Sequence, residues 1–346
     1  MRGTAGEARL PAEWEGGGSV LAAWPRAGGG WRRSLAEARA DTEALLAALL
    51  DTSDVLLLVP DAESGRRLED RLGSRGRGRF LTAPLPYDDV WTRDTGPLAV
   101  RRGNGTELLD FRFNGWGGKY PAEDDDRLVG RLAAGGFFGA LPLRRVEAVL
   151  EGGNVESDGA GTLLVRSRCL LDPGRNPDPP SRAAWERLLA ETLGARRVLW
   201  LERGALPGDD TDGHIDTLAR FATPDLLVYQ DGTEEDLGAE LRALRDRRGQ
   251  PYTLVPLPCP DPLRGEDGEP LPANYCNFVV VPGRVLVPAY GGGADAEARR
   301  RLAEVFADRE VLSVPARGLV HQYGSLHCAT MTLPAGVFAA PPGGHA

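Results

Sequence analysis

Five short stretches of this 346-residue chain are dense in residue types that chemistry needs and protein cores avoid. They are Trp91-Thr-Arg-Asp-Thr-Gly-Pro97, Phe113-Asn-Gly-Trp-Gly-Gly-Lys-Tyr120, Glu151-Gly-Gly-Asn-Val-Glu-Ser-Asp-Gly159, Gly208-Asp-Asp-Thr-Asp-Gly-His-Ile-Asp216 and Gly324-Ser-Leu-His-Cys-Ala-Thr330. A glycine beside a charge ordinarily marks a solvated turn, so each stretch taken alone reads as a loop. Taken together they supply a thiol, an imidazole and several carboxylates. Cys328 sits where a flexible turn meets the apolar run Ala-Thr-Met-Thr-Leu, a setting for an exposed nucleophile. Such a thiol needs a neighbouring base or cation, because only the thiolate attacks. Free cysteines are more often small buried apolar residues, and that is the reading for Cys169, Cys259 and Cys276. His214 and Asp216 are two residues apart, which places both on one face of an extended strand, and Ile215, Leu218 and Phe221 continue that strand into the core. The acids Asp209, Asp210 and Asp212 make an electronegative approach that favours a protonated His214 and attracts a cation.

Composition narrows the partners. Lys plus Arg is 41 against 50 Asp plus Glu, a formal charge of −9, which opposes broad phosphate-backbone binding and suits a small cationic substrate. No nucleic-acid partner is expected. The longest apolar runs, such as 55–59 and 278–281, fall far short of the roughly 20 residues of a membrane helix, so no membrane partner is expected either. The opening MRGTAGEARLPAEWEGGGS carries early acids and no apolar core, which does not match a secretory signal and points to the cytoplasm. The four cysteines show no CxxC pair and no zinc-site spacing, so neither a metal nor an organic cofactor is expected. Oligomeric state is left open, a homo-oligomer included.

The elements that must position these residues alternate. Strand patterns fall at 19–24, 55–60, 97–101, 107–111, 162–166, 197–201, 226–229, 277–281 and 284–287, and helical ones at 34–50, 181–193, 234–246 and 294–306. The fold class is therefore α/β. Two or three strands between successive helices exceed a simple βαβ pattern and point to repeated mixed modules. No linker divides the chain, which reads as one catalytic domain over residues 10–335, with 336–346 a frayed tail in which His345 carries no functional weight.

The five stretches, in this order, resemble the agmatine deiminase and bacterial-type peptidylarginine deiminase family of the guanidine-modifying superfamily. The resemblance implies a pentein fold, a five-bladed α/β propeller of pseudo-symmetric ββαβ modules with the site on its axis. It implies Cys328 as nucleophile, His214 as general acid and base, and Asp94 and Asp216 as the carboxylates that grip a guanidinium. The chemistry agrees: a guanidinium is planar, permanently charged and a poor electrophile, so it must be held by carboxylates that match its N–H fork. Glu151 is expected to line the substrate channel, with Gly152 and Gly153 letting backbone approach the ligand. Trp91 and Trp116 are expected to wall the aliphatic part of the substrate, although core packing accounts for them equally. Asp210 stands four residues before His214, where family members carry a glutamate, and is expected to face the channel and the distal amine. The implied reaction is hydrolysis of agmatine to N-carbamoylputrescine and ammonia through a covalent thiouronium intermediate. Deimination of arginine or peptidylarginine is the alternative. A non-catalytic binder of arginine-like ligands is the second, and would be expected to have lost Cys328 or His214.

Overall fold

The structure, a computed structural model, describes residues 7–28, 30–177 and 181–340. The end of the expected frayed tail, with His345, lies outside them. Within them the chain writes the same short phrase five times: an antiparallel strand pair, a helix, and a third strand parallel to the second. Strands Leu98–Arg102 and Gly105–Arg112 pair antiparallel, helix Leu128–Ala134 crosses over, and Leu143–Val149 returns parallel to the second strand. The pattern recurs in Val155–Ser157, Thr162–Arg166, helix Arg182–Leu193 and Arg197–Leu201. It recurs in Ala219–Thr223, Leu226–Gln230, helix Leu237–Ala243 and Thr253–Leu257. A fourth copy is Val279–Val281, Arg284–Ala289, helix Asp295–Val305 and Glu310–Pro315. The fifth joins the two ends of the chain: Thr330–Pro334 pairs antiparallel with Gly17–Ala23, helix Leu35–Leu50 follows, and Asp54–Leu58 lies parallel to Gly17–Ala23. A further parallel strand, Phe80–Ala83, extends that sheet. These are the ββαβ modules that the resemblance implies.

Local sequence accounts for the elements. Asp54–Leu58 and Thr162–Arg166 are covered on both faces and accordingly read as continuous apolar runs rather than alternating ones. Helix Leu35–Leu50 buries Ala38, Leu45, Leu46 and Leu49 at helical spacing. Its buried Asp41 accepts backbone N–H bonds from Gly318 and Leu319 at 2.6 and 3.3 Å, which ties the helix to the approach to the last stretch. Helix Arg182–Leu193 starts on Ser181, whose hydroxyl accepts from Ala184 N, and stops at Gly194 with φ 73°. Strands such as Leu143–Val149 and Glu310–Pro315 escape the sequence pattern because charged residues interrupt them and the neighbouring strand, rather than their own hydrophobicity, fixes them.

The five chemically dense stretches acquire a structural meaning here. The first strand of each module is preceded by a short turn: Thr92–Thr95, Gly152–Asn154, Ile215–Leu218, the bend at 274–277, and the segment ending at Cys328. Asp94, Asp216, Asn277 and Cys328 thus sit in the turns of four modules, and Glu151 stands immediately before the turn of the remaining one. The expected extended strand at His214–Asp216 is instead a helical turn, because the strand begins only at Ala219.

Ending the chain after Ala329 would strip Gly17–Ala23 of its antiparallel neighbour along with a buried row of side chains. Such a chain is expected to lose its cooperative thermal transition, checked by circular dichroism against the full-length protein.

Candidate active site

Cys328 is held by its turn. Asn277 Oδ1 accepts from the backbone N–H groups of His327 and Cys328 at 2.9 and 3.1 Å, and Asn277 Nδ2 lies 3.1 Å from Cys328 Sγ. Asp216 Oδ2 stands 3.7 Å from the same sulfur. The nucleophile is only 8% exposed, whereas sequence reasoning placed it in an exposed setting. Burial pushes the thiol well above its ordinary range, and the charges of Asp216 and Asp94 push further in the same direction. A resting Cys328 is therefore a thiol.

His214 is buried beside two carboxylates, its Nε2 at 2.9 Å from Glu151 Oε2 and its Nδ1 at 3.5 Å from Asp94 Oδ1. Burial alone would lower the imidazole, but Asp94, Glu151 and Asp216 outweigh it and raise His214 to about 9. The expected source of that charge was the acid-rich loop before it. Those acids are otherwise engaged: Asp209 accepts from Thr211 and Gly213 N, Asp212 pairs with Lys119 and Arg175, and Asp210 accepts from the Tyr120 hydroxyl at 2.8 Å.

Asp94 and Asp216 face the thiol from different modules. Asp94 Oδ1 accepts from Gly153 N at 2.8 Å and Oδ2 from Trp116 Nε1 at 3.0 Å. Burial raises the Asp94 carboxyl, with Asp216 and Glu151 adding to the rise. Trp116 reaches Asp94 through an unusual loop: φ is 55° at Trp116 itself and 70° and 83° at Gly115 and Gly117. Consecutive left-handed residues of this kind explain the glycines of that stretch. Asp216 Oδ2 lies 2.7 Å from His327 Nδ1, while its buried Oδ1 has no partner among the described residues.

These groups open into a cavity of about 310 Å³ lined by Trp91, Trp116, Tyr120, Asp89, Asp210 and Cys328, among others. Trp91, Trp116 and Asp210 thus line this cavity. Glu151 does not line the cavity. It is buried behind His214, where Arg175 Nε donates to both of its oxygens at 2.8 and 2.9 Å, and its position at the head of a module turn explains this. Gly152 packs against the Arg93 backbone and Gly153 against the Asp94 and His214 side chains. Cys169 and Cys276 are buried as expected, but Cys259 is exposed. Sequence reasoning missed Asn277, His327, Glu13, Arg175, Arg220 and Asp89. The adjacency of His327 to Cys328 and the polar Asn274-Tyr-Cys-Asn277 run within apolar sequence were the available signals. Among the described residues no cluster of three or more His, Cys, Asp or Glu is arranged to hold a metal ion.

A Cβ at position 153 would lie 2.6 Å from Asp94 Oδ1 and 2.8 Å from His214 Nδ1. Gly153→Ala should therefore leave a folded protein with turnover reduced by orders of magnitude, read by steady-state kinetics beside a thermal melt. The His214 imidazole should titrate near 9 in an NMR pH series and fall markedly in Glu151→Gln, because burial then acts with one carboxylate charge fewer. Since its folded value lies above the unfolded 6.5, His214 contributes stability that is complete below about 6.5 and is lost as pH rises through about 9.

The comparisons with known proteins agree with this arrangement. The model of the Porphyromonas-type peptidyl-arginine deiminase family matches residues 9–334. The agmatine deiminase of Stutzerimonas stutzeri is 32% identical, covering 94% of this chain and 95% of its own. A structure from Porphyromonas gingivalis, proposed to be an arginine deiminase, is 38% identical with a TM-score of 0.86, covering 96% of this chain and all of its own. A cysteine-to-serine variant of C. jejuni agmatine deiminase, solved with substrate bound, is 28% identical with a TM-score of 0.83 over 94% of this chain and 96% of its own. With the family model spanning nearly the whole chain and five module turns meeting at one buried thiol, this protein belongs to the Porphyromonas-type peptidyl-arginine deiminase family.

Proposed function

We propose that the chain hydrolyses agmatine to N-carbamoylputrescine and ammonia, with residues 10–335 acting as one cytoplasmic catalytic domain. The observation that carries this reading is the 3.7 Å approach of Cys328 Sγ to the buried Asp216, whose Oδ1 has no partner among the described residues, with buried Asp94 lining the same cavity. A buried, unsatisfied carboxylate oxygen beside a nucleophile is a costly feature, and a guanidinium N–H would satisfy it.

Charge then orders the steps. The arriving guanidinium offsets Asp94 and Asp216, which with burial hold the thiol protonated, so Cys328 gives its proton to solvent as the substrate binds and retakes one when the product leaves. The thiolate attacks the guanidinium carbon, giving a neutral tetrahedral adduct. His214, protonated at neutral pH, gives its proton to the departing nitrogen, which leaves as ammonia, and the carbon remains as a cationic thiouronium on Cys328. Neutral His214 next takes a proton from water, and the hydroxide adds to the same carbon. Collapse expels the Cys328 thiolate, the ureido product loses its extra proton to solvent, and ammonia becomes ammonium.

The cavity supports a distal cation. Burial, with Asp210 and Asp88 adding, raises the Asp89 carboxyl to about 7, so a second positive charge there is welcome. An arginine carboxylate would add to that burden of negative charge, whereas the agmatine amine would relieve it. Free arginine is the second reading, favoured by one feature: Arg26 lines the same cavity with a buried Nε that has no hydrogen-bond partner among the described residues.

The test is kcat/KM for agmatine, arginine and an arginyl peptide at one ionic strength. Agmatine should lead, and a wild-type preference for arginine would overturn the choice of substrate. Cys328→Ser should fold yet retain less than about a hundredth of wild-type turnover. At pH 7 a cationic chloroacetamidine should label Cys328 much faster than neutral iodoacetamide, since only the former brings the charge that ionises the thiol. Equal rates would contradict activation by substrate.

A further inference from the structure

Two chains of the same four residue types converge on Cys328. One runs from Arg175 through Glu151 and His214 to Asp94, and the other from Arg220 through Glu13 and His327 to Asp216. They end differently. His214 Nδ1 is 3.5 Å from Asp94, longer than a good N–H···O bond, whereas His327 Nδ1 is 2.7 Å from Asp216 Oδ2. A histidine that must give up and retake a proton needs a loose end, while one that only holds a neighbour does not.

His327 is 2% exposed, and both of its ring nitrogens face carboxylate oxygens. Its far partner, Glu13, is itself fixed: Arg220 Nη2 donates to Oε2 at 2.6 Å and Val280 N to Oε1 at 2.9 Å. The clamp therefore runs from a rigid strand, through the ring, to one oxygen of Asp216, and leaves the other oxygen uncommitted. We propose that His327 is a positioning residue that holds Asp216 as an oriented carboxylate, with Oδ1 reserved for the guanidinium. The inference rests on the reading that Asp216 grips the substrate.

The groups facing Asp216 are His327, His214, Asp94, the Cys328 thiol and Asn277 Nδ2 at 3.4 Å, with Arg220 further out. Those facing His327 are Asp216, Glu13 and, further out, Glu156, and Glu13 in turn faces Arg220 and Arg93. Burial by itself would raise the Asp216 carboxyl, but His327, His214 and Arg220 outweigh it and hold it below its ordinary value. Removing the imidazole removes the first of these, so Asp216 would protonate at a higher pH and release its grip on a cation.

The experiment is the pH profile of kcat/KM for wild type, His327→Gln and Glu13→Gln, with whichever guanidino substrate the wild type turns over and a thermal melt for each variant. In His327→Gln the acid limb should move to higher pH, and kcat/KM on that limb should fall about tenfold or more, carried mainly by KM, in line with the usual cost of an outer hydrogen-bond partner. Glu13→Gln, isosteric and one link further out, should move the limb in the same direction by less, and it decides the matter should His327→Gln fail to fold. An acid limb that stays in place in a folded variant would make His327 a packing residue and overturn the inference. Asp216→Asn separates the two levels: near-wild-type activity there sinks the role of Asp216 itself, whereas an inactive Asp216→Asn with an unmoved limb in the other variants sinks only the role of His327.

Discussion

The structure turns on keeping like charges close together in a place water barely reaches. Asp94, Asp216, Glu151 and Glu156 are buried, and Glu13 has an 8% exposed side chain, in one network behind the thiol. Unpaired, each would cost several kcal/mol or take up a proton. Arg175, Arg220, Arg93, His214 and His327 are buried among them, and each acid except Asp94 meets at least one of these cations at hydrogen-bond distance. Asp94 has the longer 3.5 Å approach to His214 and relies on N–H bonds from Gly153 and Trp116 instead. Replacing such a network with apolar side chains could well stabilise a fold of this size. Its retention makes sense as preorganisation: the acids are fixed before a cation arrives, so little reorientation is needed when it does.

That preorganisation depends on the repetition of the modules. A single loop could not bring five functional groups within a few ångströms while also burying their backbone. Here each group sits on a one-turn segment immediately before a strand, and the strand's sheet fixes where the segment begins. The turn at Thr92–Thr95 is held by Arg93 N donating to Cys328 O at 3.1 Å and by Thr92 Oγ1 donating to Leu21 O and Ala329 O. The turns thus hydrogen-bond to one another as well as to their own sheets. The joining of Thr330–Pro334 to Gly17–Ala23 matters for the same reason, because Cys328 hangs on a strand that the N-terminal end of the chain stabilises.

What the sequence revealed and what it hid follow from the range of the forces involved. Thr162–Arg166 and Arg197–Leu201 were readable to the residue because each writes itself as an apolar run, the first buried on both faces and the second half-buried. Cys328, His214, Asp94 and Asp216 were readable because catalysis restricts residue type and nearby glycine marks a tight turn. Glu151 was misplaced for a different reason: nothing local distinguishes an acid that faces a ligand from one that faces a histidine one module's worth of chain away. Arg175, which settles the question, lies 24 residues downstream in a loop whose sequence shows only turn residues. Glu13 lies 314 residues from His327, and no periodicity links them. The helical turn at Ile215–Leu218 was read as strand because its apolar residues fit either spacing over so short a length.

The resting state of the thiol gives this charge arrangement its functional sense. On the proposed reading, the carboxylates assigned to the substrate are the same groups that, with burial, keep Cys328 protonated, so the protein holds a weak nucleophile until a cation arrives. A neutral electrophile that enters the cavity relieves none of that repulsion and meets a thiol. A guanidinium relieves it at both carboxylates at once, and the energy of binding the ground-state cation becomes the energy that ionises the sulfur. Binding and activation are therefore one electrostatic event, and selectivity for planar cations follows from the chemistry of the nucleophile as much as from the shape of the cavity. His214 stands outside this exchange because Glu151 and Arg175 fix its far side: its charge is already present when the substrate enters, and it changes only when the leaving nitrogen takes its proton.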